Sequence, residues 1–235
     1  MYQEDFMKMI GIIGGLAPAS TVVYYERIIN GYRKIKNDEN YPQLFINSIN
    51  MTEVLDYIAN NDYKKLINLL GSEIEKLKII GSDYIAIASN TPHCVIDELI
   101  ERTTVPIISI VEETSKYVKN NNLKKVLLTG TIFTMGKDFY KKAFEKYNIE
   151  CIVPNDGEKN IIHNIIFPDL ENGIIKEKDK LMFKDICNKI IKAQNIDGII
   201  LGCTELPLMI KDSDFEIKVI DTMEIHIKSI LEKIV

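Results

Sequence analysis

The residues Gly198-Ile-Ile-Leu-Gly-Cys-Thr-Glu-Leu-Pro207 read as a short buried strand that stops at Gly202, with a cysteine and a threonine at the turn and a helix beyond. A cysteine where a parallel strand ends and a helix begins sits at the ligand-facing edge of an α/β sheet. Backbone N–H groups of the helix start are expected to lower its thiol pKa. The chain carries an echo of this stretch, Tyr84-Ile-Ala-Ile-Ala-Ser-Asn-Thr-Pro-His93, in which Ser89 stands where the cysteine should be.

The same strand–turn–helix grammar runs outward in both directions. Strands are predicted at about 9–13, 43–49, 84–88, 105–109, 124–129, 150–153, 198–201 and 217–220. Helical spacing of apolar residues fills the intervals, at about 19–32, 53–60, 62–80, 92–101, 110–120, 136–147, 158–170 and 177–194, and Asp221 caps a last helix. Residues 1–8 read as a loose extension. Strands alternating with helices of ten or more residues indicate parallel sheets of βαβ units. The pattern also repeats internally: Ile13 matches Leu128 (115 residues on), Ser89 matches Cys203 (114) and Ile108 matches Ile220 (112). A near-constant offset implies an α/β fold of two pseudo-symmetric parallel-sheet lobes, with the strand-end loops sharing a cleft and Ser89 and Cys203 on opposite sides of what binds there. The expected lobes are 1–112 plus 210–235 and 113–209.

Composition narrows the partners. The 235 residues are 46% hydrophobic and 27% charged, ordinary for a globular protein, and the net charge of −5 leaves no basic footprint for nucleic acid. No apolar run reaches the roughly 18 residues of a membrane span. No cationic segment followed by an apolar one opens the chain, so no signal peptide is expected. Four cysteines without CxxC spacing or a Cys/His cluster read as reduced thiols in a cytoplasmic protein, without a disulfide frame or zinc site.

Four motifs in order, Ile10-Gly-Ile-Ile-Gly-Gly-Leu-Ala-Pro-Ala-Ser-Thr21, Ser89-Asn-Thr-Pro-His93, Gly202-Cys-Thr-Glu205 and Val219-Ile-Asp-Thr222, resemble the cofactor-independent aspartate/glutamate racemase family, within the wider group that includes hydantoin racemase. The resemblance covers essentially the whole chain from Met9. It implies two parallel α/β lobes, a homodimer, and a two-base reaction on an acidic amino acid without metal, pyridoxal phosphate or nucleotide. In that reaction one cysteine takes the α-proton from one face and a second returns a proton to the other. Glutamate racemases proper usually carry a histidine after the Cys-Thr of the third motif; Glu205 stands there, as on the aspartate racemase side of the family.

Inversion needs an acid and a base on opposite faces of the α-carbon, and fixed donors for the carbanion-like state. Cys203 is the expected principal acid/base, with Ser89 in the place of the usual first cysteine. A serine hydroxyl is a poor base at neutral pH unless activated, so Ser89 reads as a proton donor or relay. Gly14, Gly15, Asn90, Thr91, Thr131 and Thr204, with Glu205, are the expected substrate-binding residues. Aspartate racemases use an arginine after the second strand and a lysine shortly before a helix-terminal glycine; here those places hold Asn50-Met-Thr-Glu53 and Glu171.

Plainer readings stand beside these. Cys203 as a small core residue, Ser89 as a helix cap, and Gly14-Gly15 as only a tight turn are each physically sensible. Cys94, Cys151 and Cys187 read as packing, Tyr24, Tyr25 and Tyr140 as core or interface. His93 fixes its loop or titrates, and His226 is placed to reach the cleft. Two other functions remain open: a single-cysteine decarboxylase or maleate-type isomerase on the same fold, and a non-catalytic binder of dicarboxylates or amino acids.

Overall fold

The computed structural model describes residues 8–235. Apart from Lys8, the expected loose extension at the start of the chain lies outside them. The chain divides into two compact units.

The first unit comprises residues 8–88, Val95–Ser109 and His226–Val235. Its sheet is formed by β1 (Ile10–Gly14), β2 (Leu44–Ser48), β3 (Tyr84–Ile87) and β4 (Ile107–Ile108), all parallel, in the order β2-β1-β3-β4. Central β1 is buried along its whole length, as expected of a parallel strand covered on both faces. The helices are α1 (Pro18–Lys36), α2 (Met51–Ala59), α3 (Tyr63–Ile79) and α4 (Ile96–Arg102). Helix α3 turns Leu66, Leu70, Ile74 and Leu77 inward at helical spacing.

Helix α1 separates the two adjacent tyrosines that sequence left as core or interface. Tyr24, Ile28 and Tyr32 are buried, whereas Val22 and Tyr25 are 56% and 47% exposed. A polar anchor sets this rotation. The Tyr24 hydroxyl and His226 Nδ1 lie 2.8 Å apart, and His226 Nε2 lies 2.8 Å from the Ile108 carbonyl. A carbonyl only accepts, so Nε2 carries the hydrogen and Nδ1 accepts from the tyrosine. His226 is fully buried. Both its ring nitrogens serve the packing of the first unit, which corrects the expectation that this ring reaches toward substrate. Tyr24 likewise belongs to the core, and the exposed neighbour on the same turn is Tyr25.

The second unit comprises Ser89–Cys94 and Ile110–Ile225. Its sheet repeats the order of the first, with β5 (Lys125–Thr129), β6 (Glu150–Ile152), β7 (Gly198–Leu201) and β8 (Lys218–Asp221) parallel as β6-β5-β7-β8. Side chains alternate across it with period two. Val126, Leu128 and Ile200 pack with Tyr140, Phe144 and Val118 on one face. Leu127, Ile199 and Leu201 pack with Phe183, Ile165 and Phe215 on the other. The helices are α5 (Ile110–Asn120), α6 (Ile132–Gly136), α7 (Phe139–Glu145), α8 (Asp156–Ile166), α9 (Glu177–Gln194), α10 (Leu206–Met209) and α11 (Thr222–Ile234), the last crossing into the first unit.

Two sequence expectations differ here. Residues 210–225 fall in the second unit, because β8 pairs with β7 from Lys218 to Asp221. The helix expected at about 136–147 is α7, from Phe139 to Glu145, and a further helix, α6, precedes it. Thr131 caps α6 through a hydrogen bond from the Thr134 N–H, so it starts at the turn, and it ends at Gly136 before extended Lys137.

Candidate active site

Strand β7 delivers Gly202 and Cys203 to the carboxyl edge of its sheet. Gly202 N–H donates to the Thr129 carbonyl at 2.8 Å, and a side chain there would meet that carbonyl at 2.6 Å, so glycine lets β5 and β7 close together. Beyond it α10 is a single turn. The Cys203 thiol is 7% exposed and donates to Glu205 Oε2 at 3.0 Å. The Thr204 hydroxyl donates to the same carboxylate, 3.0 Å from Oε1 and 2.9 Å from Oε2.

This geometry overturns the expected direction of the thiol's acidity. The Glu205 backbone does lower it, as an N–H at a helix start should. Burial, and then the negative charge of Glu205 and its hydrogen bond, outweigh that and hold the thiol well above its ordinary value of 9.0. Cys203 therefore rests as a neutral thiol beside a carboxylate. Glu171, on the short turn Leu170–Asn172 that packs on α10, adds a second negative charge. Burial, and then Glu205, raise the Glu171 carboxyl from 4.5 to about 7.

The segment Ser89–Cys94 belongs to this unit by its hydrogen bonds. Asn90 Nδ2 donates to Thr222 Oγ1 at 3.2 Å, and Thr222 in turn donates to the Leu201 carbonyl at 2.9 Å. The Tyr140 hydroxyl donates to Asn90 Oδ1 at 2.6 Å. Thr91 Oγ1 lies 3.3 Å from Thr134 Oγ1, which lies 3.3 Å from Thr131 Oγ1. Of the residues chosen from sequence, Asn90 thus sits in one buried group with Tyr140 and Thr222, and Thr91 and Thr131 in another through Thr134. Ser89 is partly exposed at the start of the segment, and His93 is fully buried on its 3-10 turn Thr91–Val95.

Gly14 and Gly15 occupy the corresponding turn of the first unit. Gly15 has φ 80°, and a side chain there would come within 2.4 Å of the Ile49 carbonyl. Its N–H donates to Thr21 Oγ1 at 2.9 Å. That amide, expected to grip a carboxylate, already has its acceptor. The stretch Asn50-Met-Thr-Glu53 after the second strand starts α2: Asn50 accepts from the Thr52 N–H, and Glu53 accepts from the Tyr57 hydroxyl at 2.7 Å.

Sequence reasoning missed Thr134, quoted Thr222 only within a motif, and took Tyr140 for core or interface. Tyr140 is core, fully buried with its hydroxyl pushed to a higher pKa by burial, yet that hydroxyl is also the partner of Asn90. The usable signal was at Thr222, which follows the end of β8 as Thr204 follows Cys203 beyond β7.

The carboxyl ends of parallel strands are where α/β units bind ligands, and here one such end carries a thiol beside a carboxylate. The chain belongs to the Asp/Glu/hydantoin racemase family, whose profile matches residues 13–230. The broad specificity amino-acid racemase RacX of Bacillus subtilis (strain 168) is 29% identical over 224 residues, covering 94% of this chain and 96% of the relative. The structure of an aspartate racemase homologue from Pyrococcus horikoshii OT3 superposes with TM-score 0.83 at 38% identity, covering 97% of this chain and 99% of that one. Picrophilus torridus aspartate racemase shares the fold, with TM-score 0.74 at 23% identity, covering 96% and 94%. RacX is a racemase, hence an isomerase, and the chain is an enzyme of that class by its family. Among the described residues no helix is long and apolar enough to cross a membrane.

Proposed function

We propose that the chain racemises an amino acid, aspartate or glutamate first among the candidates, by abstracting and returning the α-proton without a cofactor. Cys203 is the principal acid/base, and Ser89 stands in place of the second cysteine as proton donor or relay. Asn90, Thr91, Thr131 and Thr204 supply donors for the α-carboxylate. The observation that carries this reading is the buried Cys203 thiol at the end of β7, hydrogen-bonded to a carboxylate that can take its proton. A homodimer in the cytoplasm belongs to the same reading. It is supported by exposed Val22 and Tyr25 on α1 and by four free cysteines.

Incubation with L-Asp, L-Glu and their D-forms in D2O, following α-hydrogen exchange and optical rotation together, tests it. Exchange with at least one of them is expected, abolished in Cys203→Ala; Ser89→Ala slows inversion more than exchange. The absence of exchange with every acidic amino acid refutes this substrate assignment. The resting neutral thiol also suits a single-thiol proton donor of the decarboxylase kind. Release of CO2 from a substituted malonate, without α-exchange of amino acids, would favour that second reading.

A further inference from the structure

The two charged side chains that raise the Cys203 thiol are both carboxylates: Glu205 just beyond β7, and Glu171 on the turn Leu170–Asn172 that packs on α10. Their surroundings differ. Glu205 is 4% exposed, and its two oxygens accept from the Cys203 thiol and the Thr204 hydroxyl. Glu171 is half-buried; burial and then Glu205 raise its carboxyl, and no hydrogen bond or cation among the described residues offsets them. Lysines that follow it in the chain are engaged elsewhere. Lys176 pairs with Asp169, Lys180 and Lys184 of α9 pair with Asp214 at 2.9 and 3.0 Å, and Lys211 Nζ donates to the Pro207 carbonyl.

A half-buried carboxylate beside a second one costs free energy, and a cation brought by a ligand relieves that cost. Another carboxylate brought to the same place adds to the repulsion. The α-ammonium and α-carboxylate are common to every amino acid and discriminate none. The charge at the end of the substrate's side chain does discriminate. We propose that Glu171 is a specificity-determining residue: it selects a substrate whose side chain ends in an ammonium or guanidinium group, a basic amino acid, over one ending in a second carboxylate. The inference rests on the racemase reading and reorders the substrates within it. Aspartate and glutamate still turn over, and an amino acid such as lysine turns over faster. An arm of three or four carbons carries its cation past the buried sulfur to Glu171, the carboxylate whose oxygens are not already taken by the thiol and Thr204.

Because Glu171 also acts on the thiol, replacing it changes the turnover of every substrate. The ratio of two substrates on one protein cancels that common factor, so the ratio separates selection from a merely structural effect. The experiment measures kcat/KM for α-hydrogen exchange in D2O with L-Lys, L-Gln and L-Glu, for wild type, Glu171→Gln and Glu171→Lys. It is run at about pH 8, above the raised Glu171 pKa of about 7. Glutamine and glutamate share a shape and differ in charge. Wild type should favour Lys over Glu by about tenfold or more, and Gln over Glu by a smaller factor. Glu171→Gln should lower the Lys/Glu ratio by about tenfold, and Glu171→Lys should invert it. A ratio constant within about twofold across the three proteins overturns the proposal, as does a wild type that favours Glu over Lys. Should Glu171→Lys fail to fold, Glu171→Gln decides alone. If no amino acid exchanges its α-hydrogen, the racemase reading fails and calorimetry decides the selectivity. Tighter binding of lysine than of glutamate, lost in Glu171→Gln, then supports it, and equal binding overturns it.

Discussion

Replacing Glu171 with glutamine should stabilise the protein by an amount that grows from about pH 4.5 to about pH 7 and is constant above. Burial and the neighbouring Glu205 raise this carboxyl from 4.5 to about 7. An acid whose folded pKa is raised favours folding fully below its unfolded value, and that contribution is lost as pH rises through the folded one. The window therefore runs from about pH 4.5 to about pH 7. At 1.36 kcal/mol per pH unit the difference between 4.5 and about 7 amounts to ~3.4 kcal/mol. Solvent reaches this partly exposed side chain, which reduces the figure to about 1–2 kcal/mol. Glutamine mimics the protonated form at every pH. Urea unfolding at pH 5 should give nearly the same stability for both proteins, whereas at pH 8 Glu171→Gln should be about 1–2 kcal/mol more stable. For a chain this long that is roughly 2–8 °C in Tm. A stability difference independent of pH, or one larger at pH 5, would refute the raised Glu171 pKa.

Two further perturbations probe the frame around the thiol. Tyr140→Phe removes the hydroxyl that donates to Asn90 Oδ1 and should cost about 1–3 kcal/mol by calorimetry, with slower turnover because Asn90 loses its orientation; a loss under about 0.5 kcal/mol with full activity would show the bond to be incidental. Gly15→Ala forces a side chain onto the Ile49 carbonyl at φ 80° and should cost roughly 2–4 kcal/mol in urea unfolding, while a neutral outcome would contradict the close approach of that turn to the end of β2.

The sheet order was legible because parallel strands buried on both faces leave runs such as Ile10–Gly14 and Gly198–Leu201, and the offset of about 112–115 residues tied them into two copies. The boundary near 209 was misplaced because β8 has only four residues and its partner is a matter of pairing, not of pattern. Which of two neighbouring tyrosines of α1 turns inward was not legible for a similar reason. Tyr24 and Tyr25 are alike in sequence, and only His226, 202 residues away, distinguishes them. At the site, Cys203, Asn90, Thr91 and Thr131 stood out by position at strand ends. The thiol's acidity did not, because it depends on which way the Glu205 side chain folds back. The hydrogen bonds of Thr91 to Thr134, and of Asn90 to Tyr140 and Thr222, join residues from separate stretches, and no local spacing announces them.

The anchoring of His226 also has a bearing on how the chain is made. The first unit takes its sheet from the early part of the chain, yet draws residues 226–235 from its far end. Leu231 packs so closely on Gly31 that an added Cβ there would lie 2.4 Å from it, and His226 holds both Tyr24 and the Ile108 carbonyl. During synthesis the early strands emerge first and wait for a helix that emerges last, while every residue of the second unit has already appeared by Ile225. The half of the protein that is translated first is therefore the half that finishes folding second. Until then it exposes the apolar bed of α11, the segment a chaperone has most reason to cover.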